Sequence, residues 1–306
     1  MNSIYKYIGC SKQSFHRQLG RQLKRKEMEL LLLPIIKQLR QEHPGVAARQ
    51  LYWILKPEGI GRDRFERLCF AHGYKLPKSK SFVRTTDSNG VVRFANLIIG
   101  RELTGINQIW SSDITYFQIG DRFYYLTFIV DLFSRRIVGF HVSERLLTEH
   151  TTLPAVMMAL SERNPAPGLI FHSDGGGQYY CKEFLNVTDR WKIKNSMCEM
   201  AYENPHAERL NGTIKNQYLK GYDPKDFLSL KKMTTRAVYN YNHVKPHSSL
   251  KGLSPADFEK TMPAGGSSSM TDNFCIDSNS AKLHQKNYQS LMRSTLVKKT
   301  VNVFQA

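Results

Sequence analysis

Three carboxylates stand at positions where an acid needs a reason. Asp113 lies inside "NQIWSSDITYFQIG" (residues 107–120) among Trp110, Ile114 and Tyr116, where a carboxylate has poor strand propensity and no structural excuse. Asp174 follows the apolar run Gly168-Leu169-Ile170-Phe171 in "HSDGGGQYY" (172–180), so an acid stands where a short buried strand ends. The three glycines behind it free the backbone for positive φ and keep bulk away from whatever approaches. Taken alone, Asp174 fits a helix cap on a plain loop equally well. Glu208 lies in "ENPHAERLNGTIKNQYL", with Asn211 and Lys215 three and seven residues beyond it on one helical face.

If the strand ending at Asp174 lies beside the strand holding Asp113, the two aspartates meet. A pair of unit charges about 4 Å apart repels by roughly 4 kcal/mol at an effective dielectric of 20, so something must neutralise them. Oxygen-only ligands suit Mg²⁺ or Mn²⁺. Two such ions about 3.5 to 4 Å apart activate a nucleophile and stabilise the leaving oxygen of a phosphodiester displacement. Lys215 would hold a phosphate beside them.

Positioning these acids requires a sheet and a helix, and the surrounding sequence predicts both. Residues 107–120 alternate as a strand, with Ser111, Asp113 and Thr115 on one side and Trp110, Ser112, Ile114 and Tyr116 on the other. Turns at Gly120-Asp121 and Ser134-Arg135-Arg136 make "RFYYLTFIVDLFS" and "IVGFHVSE" the next strands of a hairpin meander. A helix over Thr148–Arg163, the strand ending at Asp174, a helix over Lys182–Trp191, a strand over Lys194–Met197 and a helix over Pro205–Leu219 complete the order βββ-α-β-α-β-α. Before this core, residues 11–26 read as a basic helix capped by Ser11 and residues 27–42 as an amphipathic one stopped by His43-Pro44-Gly45. Two shorter helices, Val46–Leu55 and Arg62–His72, flank a turn at Gly59 with helix-turn-helix spacing. Arg62, Arg64 and Arg67 are expected to face DNA while Phe65, Leu68 and Cys69 turn inward; a plain helical bundle with a solvated basic face is the competing reading.

The charge is distributed to match. The chain of 306 residues has a net charge of +18, and residues 1–80 carry 17 Lys and Arg against 6 Asp and Glu, whereas residues 105–220 carry 12 of each. Basic ends around a neutral middle point to a polyanion, with nucleic acid ahead of an anionic membrane. Cysteines 10, 69, 181, 198 and 275 have neither zinc-finger nor disulfide spacing, and the longest apolar run, Leu30–Ile36, is broken by Pro34 and far too short to span a bilayer. The expected setting is reducing and cytoplasmic.

Taken together, "WSSDITY", "HSDGGGQY" and "ENPHAERLNGTIK" resemble the catalytic core of DDE transposases and retroviral integrases. The likeness is greatest to the second-open-reading-frame (OrfB) products of bacterial insertion sequences. "YNYNHVKPHSSLKGLSPADF" (239–258) resembles the segment that closes these transposases, and the likeness covers roughly residues 10–260. It implies an α/β fold: a ribonuclease H-like core with a mixed five-stranded sheet, preceded by an all-α helix-turn-helix DNA-binding region. The expected divisions are 1–80 (helix-turn-helix), 81–104 (linker), 105–222 (catalytic core), 223–261 (C-terminal helical segment) and 262–306 (tail of no assigned role). It further implies two Mg²⁺ or Mn²⁺ ions on Asp113, Asp174 and Glu208, strand cleavage followed by strand transfer, and no covalent protein–DNA intermediate.

By the same resemblance His172 and Gln178 match the pattern around the second aspartate, and Asn211, Lys215, Lys245 and His247 match DNA-contacting positions. The implied partners are double-stranded DNA, both element ends and target, further copies of the chain on that DNA, and a first-frame (OrfA-type) protein, in a bacterial cytoplasm without membrane attachment. Three features depart from the family pattern. The 33 residues between Asp174 and Glu208 are slightly fewer than usual, which makes Glu203 a competing third acid. Lys245 replaces the usual arginine and loses its bidentate fork. The zinc module of retroviral integrases is absent. A DNA-binding regulator without catalysis and a ribonuclease H-type hydrolase are the alternative readings. The complete acid set in order speaks against the first, and the basic helices and Pro-His segment against the second.

Overall fold

A computed structural model of the chain describes residues 5, 7, 9–77, 94–198 and 204–262. The competing acid Glu203, most of the expected linker and the tail from 263 onward lie outside the described residues. The chain divides into two compact units, residues 1–52 with 56–77, and residues 53–55 with 78–306.

The first unit is helical. Ser11 Oγ accepts from Ser14 N at 3.2 Å and starts α1 (Lys12–Glu42), a single helix where the sequence reads as two stretches meeting at residues 26 and 27. Pro34 is carried inside it, at the cost of one backbone hydrogen bond. Helices α2 (Ala48–Leu55) and α3 (Arg62–Ala71) follow, and Ile36, Leu39, Leu51, Phe65 and Cys69 are fully buried. Gly59 turns the chain with φ +73°, and a Cβ there would stand 2.5 Å from Met28 Cε, so both conformation and space call for glycine.

The second unit is built on a five-stranded sheet of order β3-β2-β1-β4-β5. Its strands are β1 (Ile109–Ile119), β2 (Arg122–Asp131), β3 (Ile137–Ser143), β4 (Ile170–Ser173) and β5 (Lys194–Met197). The meander β1-β2-β3 is antiparallel, and β4 and β5 join it in parallel through the helical crossovers α4 (Thr152–Arg163) and α5 (Lys182–Arg190). Trp110, Ile129, Val138, Val156, Leu160, Phe171 and Phe184 form the core between sheet and helices. Helix α6 (Pro205–Thr213) runs into a π-helical turn, Ile214–Leu219, and α7 (Phe227–His243) and α8 (Pro255–Lys260) follow. A capping box between Asp226 and Ser229 starts α7. At the far end of α7, Asn242 donates to Ile137 O and accepts from Ile137 N, both at 2.9 Å, which covers the backbone of edge strand β3. No helix among the described residues is long and apolar enough to cross a membrane.

Candidate active site

Strand register brings the aspartates together. Parallel pairing of β1 with β4 sets Ile109 against Ile170, Trp110 against Phe171 and Ser111 against His172. Continued by the same offset, Asp113 falls opposite Asp174, just where β4 ends and the edge of β1 becomes free. Glu208 on α6 completes the electrostatic group. Burial first, then the negative charge of Asp174, pushes the Asp113 carboxyl up to about 7, with Glu208 adding in the same direction and a hydrogen bond from Asn211 opposing it. Of the three glycines after Asp174, only Gly175 uses positive φ, at +76°, and a Cβ there would overlap Met197. Gly176 N donates to Asp174 Oδ1 at 3.1 Å, which fixes the carboxylate over its own loop.

Among the described residues none of the three acids has an ion-pair partner, and no three His, Cys, Asp or Glu side chains are gathered into a complete metal cage. The expected triad is therefore not a closed ligand set. Its donor chemistry nevertheless fits Mg²⁺, which demands oxygen ligands and is held by one or two carboxylates together with waters and substrate phosphates. Mutually repelling carboxylates without a cation are the complement of such an ion.

Several other expected residues are held by partners distant in sequence. Asn211 is buried, and its Nδ2 donates to Asp113 Oδ2 at 2.7 Å, a bond that orients the carboxylate. Lys215 sits in the π turn, the kind of helix irregularity that recurs at functional sites, and its Nζ donates to Thr115 Oγ1 at 3.0 Å. His172 is buried with Nδ1 3.0 Å from Ser196 Oγ, and Gln178 Nε2 donates to Leu146 O at 3.3 Å. Lys245 and His247, expected at a DNA surface, are drawn inward: Lys245 is 7% exposed and burial lowers its amine to about 8. Burial, with Lys245 nearby, lowers His247 to about 3, and its ring lies edge-on to Tyr241 at 4.7 Å. In the first unit Arg62 and Arg67 are exposed, whereas Arg64 donates from Nε and Nη2 to Glu29 at 2.9 and 2.7 Å, tying α3 to α1.

Sequence reasoning missed Asn204. It precedes Pro205 at the start of α6, and its side chain makes no cap bond. It reaches β1, where Nδ2 donates to Ser112 O at 3.0 Å and Oδ1 accepts from the Ser111 hydroxyl. Asn204 thereby hooks the start of the Glu208 helix to the strand of Asp113. Replacing it with Ala leaves a buried carbonyl unpaired and is expected to destabilise the fold by about 1–3 kcal/mol, read as a lower urea midpoint at unchanged slope.

Comparison with known proteins gives the chain its family. The family model "Integrase core domain" matches residues 104–202, and a second model of the same description matches residues 189–255. The insertion element IS600 uncharacterized 31 kDa protein of Shigella sonnei is 32% identical over 221 residues, covering 69% of this chain and 80% of that protein. The chain belongs to the DDE transposase and integrase superfamily. Within it, this DDE-type polynucleotidyl transferase is also 32% identical over 163 residues to transposase InsF for insertion sequence IS3A of Escherichia coli, covering 51% of this chain and 55% of that protein. Its likeness to the HTLV-2 integrase catalytic core domain in complex with magnesium has a TM-score of 0.44 at 24% identity, over 52% of this chain and 99% of that one.

Proposed function

We propose that this transposase cleaves DNA strands at the ends of an insertion element and joins the freed 3′-hydroxyls to target DNA, using Asp113, Asp174 and Glu208. The observation that carries this reading is the shared register position of Asp113 and Asp174 at the free edge of β1, with Glu208 in their field. Two Mg²⁺ or Mn²⁺ ions on these carboxylates would supply nucleophile activation and charge neutralisation on the leaving oxygen. Asn211 keeps the Asp113 carboxylate aimed, and Asn204 holds the Glu208 helix against β1. Lys215, braced by Thr115, neutralises a phosphate next to the one under attack.

The same reading assigns duplex binding to residues 1–80 and catalysis to residues 105–222, with 81–104 as linker and 223–261 as a helical buttress. Substrates are the element's terminal inverted repeats and target DNA. Several copies of the chain act together on that DNA, with a first-frame partner supplying further contacts, in a bacterial cytoplasm. Nicking of an end-labelled duplex with Mg²⁺, and none with a chelator, is the expected result; nicking in the chelator would overturn the metal-carboxylate reading.

Arg62 and Arg67 are the exposed arginines of α3, so replacing both with Ala should lower the dependence of log affinity on log salt by about one unit per lost phosphate contact. Arg64→Ala should instead destabilise the first unit, since Arg64 is engaged with Glu29. Equal slopes in wild type and the Arg62/Arg67 variant would remove α3 from the DNA interface.

A further inference from the structure

We propose that Tyr116, Phe123 and Lys215 form a stacking subsite for an unpaired nucleobase of the DNA strand whose phosphodiester lies at the carboxylates. This rests on the strand-processing reading above and deepens it. Past β4, the β4-side edge of β1 carries Asp113, Thr115 and Tyr116, and among the described residues no strand lies beside it there. Tyr116 and Phe123 are 56% and 48% exposed, unusual for two large rings in contact. Their centroids are 5.5 Å apart in an edge-to-face arrangement. They are diagonal neighbours on one face of the hairpin, since Phe123 pairs with Gln118, two residues from Tyr116.

Lys215 joins this pair to the catalytic side. Its amine, held by Thr115 on the Asp113 face, also lies 4.9 Å from the centre of the Tyr116 ring. A cation beside two half-exposed rings matches the two parts of a nucleotide: the amine takes a phosphate, and the exposed part of a ring takes the base. A base inside a duplex is already stacked above and below, so an exposed side-chain ring finds a partner where the base is unpaired. Asp113 and Tyr116 are three residues apart on one strand, about 10 Å, and on opposite faces of it. The DNA strand must therefore pass around the open edge of β1, where Lys215 touches both Thr115 and Tyr116, to set the stacked base a short run from the reacting phosphate. A hydrophobic protein partner would gain nothing from the amine at the ring, whereas a nucleotide uses all three groups.

The test uses the full chain with two duplexes carrying the fluorescent base analogue 2-aminopurine, one in a short 3′ overhang and one within a fully paired end. The overhang probe should be quenched on binding and held more tightly. The Tyr116→Ala, Phe123→Ala double variant should lose the quenching and bind the overhang roughly 5- to 150-fold more weakly, with its affinity for the paired duplex unchanged. Tyr116→Phe, which keeps the ring, should retain both. Quenching and overhang affinity that survive the double variant would overturn the subsite while leaving the strand-processing reading intact. A wild-type chain that binds neither probe would overturn both.

Discussion

Glu208→Gln should reduce strand cleavage and joining by at least about 10³-fold and leave affinity for duplex DNA near wild type. The substitution keeps the shape of the side chain and removes its charge, so it acts on charge stabilisation of the reacting phosphodiester, where one lost group costs on the order of 10² to 10³ or more in rate. Helix α6 stays in place because Asn204 and Asn211, not Glu208, make its bonds to β1. Binding and catalysis therefore separate. Gel-shift affinity measured beside single-turnover cleavage checks both halves. Activity retained in the variant would move the third acid to Glu203, the neighbouring candidate in the sequence.

The second large effect concerns the frame that holds the catalytic sheet. Glu259 on α8 accepts from Arg163 Nη1 and Nη2 at 2.9 and 2.7 Å, and from Arg136 Nη1 at 2.7 Å. Arg163 and Glu259 side chains are each only 9% exposed. A buried pair is costly to break because the remaining charge cannot regain water, so Glu259→Gln should destabilise the protein by about 3–5 kcal/mol. Burial alone would raise the Glu259 carboxyl, but the hydrogen bonds and charge of Arg163, with Ser134 and Arg136, outweigh it and hold the carboxyl below its ordinary range. A carboxyl depressed in the folded state contributes stability above its unfolded value and loses it as pH falls through the folded one. The gap between wild type and Glu259→Gln should thus be full near pH 7 and shrink below about pH 4. Denaturant melts of both proteins across that range check it. A gap that does not change with pH would show that the pair contributes packing alone.

The sequence reads well where structure is local or periodic. The alternation in residues 107–120, the turn residues at 120–121 and 134–136, and the apolar run before Asp174 yield the meander and the buried fourth strand. The sequence places Asp113 and Asp174 on strands that become neighbours, but the register that sets one opposite the other is seen only in the structure, since a two-residue slip would keep the same faces. What depends on partners distant in sequence was not legible. Arg64 reads as a solvent-facing arginine until Glu29, 35 residues away, is seen to hold it. Asn211 reads as a DNA-contacting position and Asn204 stands out in no way, yet both bond to β1, 98 and 93 residues away. Lys245 and His247 match DNA-contacting positions by resemblance, yet Lys245 is buried and the His247 ring packs edge-on against Tyr241.

The central claim is that one carboxylate site first cuts a strand and then uses the freed 3′-hydroxyl as the nucleophile. The measurement that tests it most directly supplies a pre-cleaved element end, terminating in either a 3′-hydroxyl or a 3′-hydrogen, with unlabelled target duplex and Mg²⁺. Joined product from the hydroxyl end alone, lost in Glu208→Gln and without protein covalently attached to DNA, is the predicted result. Joined product from the 3′-hydrogen end, or a covalent protein–DNA adduct, would contradict it.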